Sequence, residues 1–159
     1  MFAPKGAVKA LERLKSEGVI KHLGITGHRS PAVLLKGIQN YDFDCVLMAL
    51  NAADIHYEPF QKELLQKAVE KELGIIAMKV PAHGRIFRSE GLSTMEQALG
   101  YVYSFPVSTA IVGISRLEQL KENVQITRDF EPYNREELKE IEELTEPYYR
   151  DASWFKFYW

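Results

Sequence analysis

The chain has 159 residues, a formal net charge of −2, 46% hydrophobic residues and 26% charged residues. That balance suits one globular unit with a sizeable core and excludes intrinsic disorder, while its near-neutral charge gives no electrostatic case for nucleic acid or an anionic membrane. No stretch approaches the roughly 20 apolar residues of a membrane span, and the single cysteine, Cys45, allows no intrachain disulfide, so a reducing, cytoplasmic setting is expected.

The opening MFAPKGAVKALERLK lacks the apolar region of a signal peptide. Val8, Leu11 and Leu14 step by three through residues 5–17, which predicts a helix stopped by Gly18. Residues 20–26, IKHLGIT, read as a short strand. Ser30-Pro31 predicts an N-cap and a first-turn proline for a helix to about Ile38. Residues 44–50 form a continuous apolar run of the kind found in strands covered on both faces. Pro59 is expected to open a helix to about Glu72, with Leu64, Leu65, Ala68 and Val69 facing inward. GIIAMKV, residues 74–80, predicts the third strand, and Thr94 caps a helix closed by Pro106. VSTAIVGI, residues 107–114, predicts the fourth strand, followed by helices over about 117–127 and 135–146. The last stretch, PYYRDASWFKFYW, reads as aromatic-rich and irregular. Four strand–helix units of this kind imply parallel strands joined by right-handed crossovers, in one unit spanning residues 1–159.

Glycine-rich phosphate fingerprints are missing; the nearest cluster, Gly24 to Gly27, is equally a tight turn. None of His22, His28, His56 and His83 pairs with another at metal-ligand spacing, so no metal site is expected. His22 reads as structural. The other three follow strand ends, where parallel α/β folds build sites, or are loop histidines in water. Cys45 reads as an inert buried thiol. Lys79 ends an otherwise apolar strand, where it can pair with a carboxylate, form a Schiff base or meet an anionic ligand. The fourth unit has the clearest anion-site logic: Gly113, Ser115 and Arg116 lead straight into a helix N-terminus. The competing reading makes Ser115 a plain N-cap and Arg116 a solvated side chain. The terminal aromatics, Trp154, Phe155, Phe157, Tyr158 and Trp159, need a surface to pack on: a pocket, a rim or a partner chain.

Taken in order, GAVKALERLKSEGVIKHLGITGH, FDCVLMALN, GIIAMKVPAHG and STAIVGISRLEQLKENV resemble the aldo/keto reductase family over nearly the whole chain. The most specific parts are LGITGH and residues 111–124. The resemblance implies an α/β fold, the C-terminal half (strands 5–8, about four βα units) of a (β/α)8 TIM barrel. It also implies NADPH as cofactor and a small carbonyl substrate in the complete enzyme. Thr26 and Gly27 match positions that hold the nicotinamide carboxamide, although Gly27 has no side chain for it and Leu47 replaces a common glutamine. Met78 matches a ring-stacking aromatic position, and Lys79 adjoins it. Gly84 and Arg85, within Pro81 to Arg85, match the loop past the pyrophosphate. Gly113, Ser115 and Arg116 match the loop at the adenosine phosphate, and Gln119, Glu122 and Asn123 the polar positions at the adenine half.

No residue matches the family's Asp/Tyr/Lys/His tetrad, because the match begins at the helix after the fourth strand. The chain is therefore expected to be the cofactor-binding half of a reductase, inactive alone. The alternative is a non-enzymatic nucleotide-binding or scaffold protein on the same fold, and a truncated product is a third reading. A half-barrel exposes two sheet edges and predicts closure by a second copy or by a separate N-terminal half.

Overall fold

The computed structural model describes Ala3 and residues 6–158. Helix α1 (Ala7–Ser16) buries Val8 and packs Leu11 on the core. It ends where Gly18 adopts φ +74°, a left-handed conformation that glycine reaches at little cost. Strand β1 (Gly24–Gly27), α2 (Pro31–Asn40), β2 (Cys45–Ala49), α3 (Glu63–Glu70), β3 (Gly74–Met78), α4 (Met95–Tyr103) and β4 (Thr109–Ala110) follow. Beyond them come α5 (Leu117–Asp129) and α6 (Arg135–Thr145). The four strands form one parallel sheet in the order β1-β2-β3-β4, as alternating strands and helices predict.

One sheet face is buried under the helices. Ile25, Val46, Met48 and Ile75 meet Leu34 and Ile38 of α2 and Leu64, Leu65 and Ala68 of α3. A second cluster joins Ala77 and Val80 to Leu99, Tyr101 and Val102 of α4 and to Ile141 of α6. The opposite face carries Thr26, Leu47, Ile76 and Thr109 in register, none of them buried. Cys45 belongs to this less covered face, so the expectation of a buried thiol is corrected: it is half-buried beside Gly24, where an added Cβ would come within 2.6 Å of its Sγ.

Several boundaries differ from the sequence reading. The first strand starts at Gly24 rather than residue 20, because Asp44 takes the Leu23 N–H at 2.7 Å and His22 stays exposed. Ser30 occupies the N-cap of α2 but makes no side-chain capping bond. Pro59 does not open α3; the chain turns there because Asp54 accepts the N–H groups of Phe60 and Gln61, and the helix begins at Glu63. The fourth strand shrinks to two residues, with flanking bonds from Ser108 to the Ile75 carbonyl and from Ile111 to the Ala77 carbonyl. Thr94 caps α4, as predicted, and the structure adds a full capping box with Gln97.

The C-terminal stretch is helical rather than irregular: a 3-10 turn (Glu146–Tyr148), α7 (Tyr149–Ala152) and α8 (Trp154–Phe157). Its packing explains this. Phe155 is fully buried against the first core cluster, and the Lys156 ammonium reaches Asp54 with both side chains fully buried. Trp159, the last of the predicted aromatics, lies outside the described residues.

Candidate functional site

A cleft of about 560 Å³ opens beyond the C-terminal ends of β3 and β4. One wall is the loop after β3, with Lys79, Pro81, His83, Gly84 and Phe87; the other is residues 111–115 and the first turns of α5. Asn51 helps place the first wall. It is buried just past β2, donates from Nδ2 to the Lys79 carbonyl at 3.0 Å and accepts the Ala53 N–H on Oδ1. Lys79 itself sits at φ +64°, followed by Ala82 and His83 at φ +47° and +58°, so the wall is a tightly wound left-handed turn.

Seven of the expected cofactor residues line this cleft together: Lys79, Gly84, Gly113, Ser115, Gln119, Glu122 and Asn123. Gly113 is open on its Cβ side, with nothing within 4 Å of an added Cβ, so the backbone offers an approach free of side chain. Ser115 is not the N-cap of α5. Arg116 holds that position, and Gln119 Oε1 accepts the Ser115 N–H at 2.9 Å, its hydroxyl at 3.2 Å and the Arg116 N–H at 3.2 Å. An anion bound at those donors therefore has to replace the Gln119 carbonyl.

Five expected residues lie outside the cleft lining. Thr26 and Gly27 end β1, two strands from β3, and Gly27 fits against Leu34, where an added Cβ would come within 3.2 Å. Met78 is half-buried at the end of β3. Arg85 turns to the C-terminal tail, with Nη1 on Asp151 Oδ1 at 2.6 Å and its guanidinium 5.5 Å from the Trp154 ring. Arg116 is exposed at the head of α5.

The tail covers the strand ends. Phe155 lies 5.7 Å from the His28 ring and 5.5 Å from the Lys79 ammonium, which also lies 5.7 Å from Trp154. Burial, and then the Lys79 charge, hold His28 below its ordinary pKa, which favours a neutral imidazole. His56 lies outside the cleft lining: its Nε2 contacts the Glu142 carbonyl and Thr145 Oγ1, fastening α6. His83 is exposed at the cleft, 5.8 Å from Trp154. Sequence reasoning missed Asn51, Asp151 and Tyr148; the first had a signal, as an amide ending an apolar run.

No family model matches the sequence. An uncharacterized oxidoreductase of Bacillus subtilis (strain 168), YqkF, is 25% identical over 172 residues, covering 87% of this chain and 54% of the relative. The aldo-keto reductase AKR11C1 from Bacillus halodurans, solved in holo and apo forms, superimposes with TM-scores of 0.70 and 0.69 at 25% and 24% identity. The fold is aldo-keto reductase-like. The thermostable aldo-keto reductase Tm1743, solved with the inhibitor epalrestat, shares that fold at TM-score 0.64 and 19% identity. This chain covers 54% and 58% of the Bacillus halodurans chains and 53% of Tm1743, so it spans about half the length of these aldo-keto reductases. Its parallel sheet and alternating helices thus correspond to part of a (β/α)8 barrel. Among the described residues no helix is long and apolar enough to cross a membrane.

Proposed function

We propose that this chain is the nucleotide-binding, C-terminal half of an NADPH-dependent aldo-keto reductase acting on a small carbonyl substrate in the cytoplasm. The observation that carries this reading is the cleft after β3 and β4, where Gly113, Ser115, Gln119, Glu122 and Asn123 meet Lys79 and Gly84. Each group has a physical role. The open backbone at Gly113 admits a phosphate, while the Ser115 hydroxyl and the amino end of the 13-residue α5 suit its charge. Arg116, at the head of that helix, adds a cation. Glu122 and Asn123, nearly two turns on, offer an acceptor and an amide to a ribose or adenine edge. Lys79, held among aromatic rings, adds positive charge on the other wall. When bound, the dinucleotide supplies a hydride to the carbonyl carbon. No residue of this chain corresponds to the tetrad that protonates the carbonyl oxygen, so reduction requires the other half of the barrel.

Titration of the purified chain with NADPH and NADH, followed by nucleotide fluorescence, tests the reading. NADPH is expected to bind, Asn123→Ala to weaken it about fivefold, the loss typical of a neutral hydrogen bond, and Arg116→Ala by about tenfold or more, the loss typical of a charged one. Carbonyl-dependent NADPH oxidation is expected to stay at background. Failure of NADPH to bind at millimolar concentration, or turnover lost on changing a residue of this chain, overturns the assignment.

A scaffold reading on the same fold draws on a different observation. Helix α5 buries no residue and exposes Leu117, Leu120 and Val124, beside exposed Ile111 and Ile114 next to β4. Both readings place a partner at this edge: a second copy, or a complementary N-terminal half that completes the barrel.

A further inference from the structure

The loop of residues 79–92 forms one wall of the cleft and holds three non-glycine residues at positive φ. Such backbone persists where the surroundings over-determine it. Short-range bonds shape the turn: Ala82 N–H to the Lys79 carbonyl at 2.9 Å and Arg85 N–H to the Ala82 carbonyl at 3.1 Å. The loop is rooted by Asn51 on the Lys79 carbonyl and by buried Val80, Ala82, Ile86 and Leu92, and its outer turns are tied down by the C-terminal tail. Asp151 is forked between two arginines of the loop, Oδ1 on Arg85 Nη1 at 2.6 Å and Oδ2 on Arg88 Nη2 at 2.5 Å. Tyr148 holds the loop's far end. Its hydroxyl accepts the Leu92 N–H at 3.0 Å, its ring lies 4.9 Å from the Arg88 guanidinium, and an added Cβ at Gly91 would fall 2.5 Å from that hydroxyl. Neither Asp151 nor Tyr148 lines the cleft.

We infer that Asp151 is a positioning residue: with Tyr148 it braces the loop of residues 79–92, and the brace sets how tightly the cleft holds an anionic nucleotide. Each of its ion pairs is partly exposed and weak alone. Two guanidinium groups on one carboxylate restrict the loop in two places at once, which a single pair does not. The same fork keeps Arg85 on the tail rather than in the cleft. The affinity arm of this inference rests on the cofactor reading above; the loop-ordering arm does not.

Amide hydrogen exchange and NADPH titration on the full chain separate the two arms. Asp151→Asn and Tyr148→Phe are each expected to speed exchange across residues 79–92 about fivefold, with the β2 and β3 amides unchanged. NADPH affinity is expected to fall by a similar factor, and Asp151→Glu to recover part of both effects. A merely structural role would instead speed exchange throughout the fold and lower the melting temperature in proportion. Unchanged exchange over residues 79–92 in both variants overturns the brace. So does tighter NADPH binding in Asp151→Asn, which would make Asp151 a competitor for Arg85. If the unaltered chain binds no NADPH, the cofactor reading fails, and faster local exchange in both variants still establishes the brace.

Discussion

Lys156 and Asp54 show how far apart in sequence two residues can be and still depend on each other. Both side chains are fully buried, 102 positions apart, and the ammonium also donates to the carbonyls of Tyr57 and Glu58 at 2.6 and 3.1 Å. Burial pushes the Asp54 carboxyl up to about 6 against the pull of Lys156, and pushes the lysine down. Removing one partner strands the other charge in a place water does not reach. Lys156→Ala is therefore expected to cost about 3–5 kcal/mol in urea unfolding. Lys139→Ala, which breaks an exposed pair with Glu143, is expected to change stability by less than about 1 kcal/mol. Equal effects of the two would show that the buried pair is not what anchors the tail. Nothing local in SWFKFYW marks Lys156 as buried, since its partner comes from the loop after β2 and only the fold brings them together. Lys79 was legible for the opposite reason: a cation closing an apolar run is conspicuous in the sequence itself, although β3 ends one residue before it, at Met78.

Among elements, the strands were readable as apolar runs because the less covered face also carries apolar side chains, Leu47 and Ile76, although the helices bury only the other face, against the both-face cover that such runs suggest. Their ends were not, because side chains from other elements decide them. Gln119 supplies the acceptor at the head of α5, a role indistinguishable in sequence from ligand binding. Asp44 decides the start of β1 and joins three elements. It accepts the Leu23 N–H, pairs with Lys15 near the end of α1 at 2.9 Å, and lies 3.5 Å from His22. The Leu23 N–H, then Lys15, hold its carboxyl down at about 2 from an ordinary 3.8. A carboxyl depressed by folding stabilises the fold above its unfolded value, and that contribution is lost as pH falls through the folded value. The stability Asp44 contributes is thus complete above about pH 4 and is lost as pH falls to about 2. Melting temperatures across that range are expected to fall less steeply in Asp44→Asn than in the unaltered chain. Parallel acid limbs for the two proteins would exclude this role.

For the whole molecule, the decisive quantity is the number of strand–helix units. A closed barrel needs eight, and this sheet has four, with β1 and β4 as its edges. The β4 edge is the more demanding of the two. Ile111, Ile114, Leu117, Leu120 and Val124 are 41–59% exposed there, and α5 has no buried residue. An open parallel edge also presents unpaired backbone groups to any strand that can reach it. Exposed apolar surface beside an open edge favours association. Light scattering at micromolar concentration is expected to give a mass above that of the single chain, or a defined complex when a complementary N-terminal half is supplied. Leu120→Glu with Val124→Glu places two carboxylates on the stripe and is expected to return the mass to one chain. Circular dichroism should stay unchanged, since neither side chain is part of the buried core. A single-chain mass for the unaltered protein that no added half changes would leave the edge without a partner, and the association that both readings place there would fall with it.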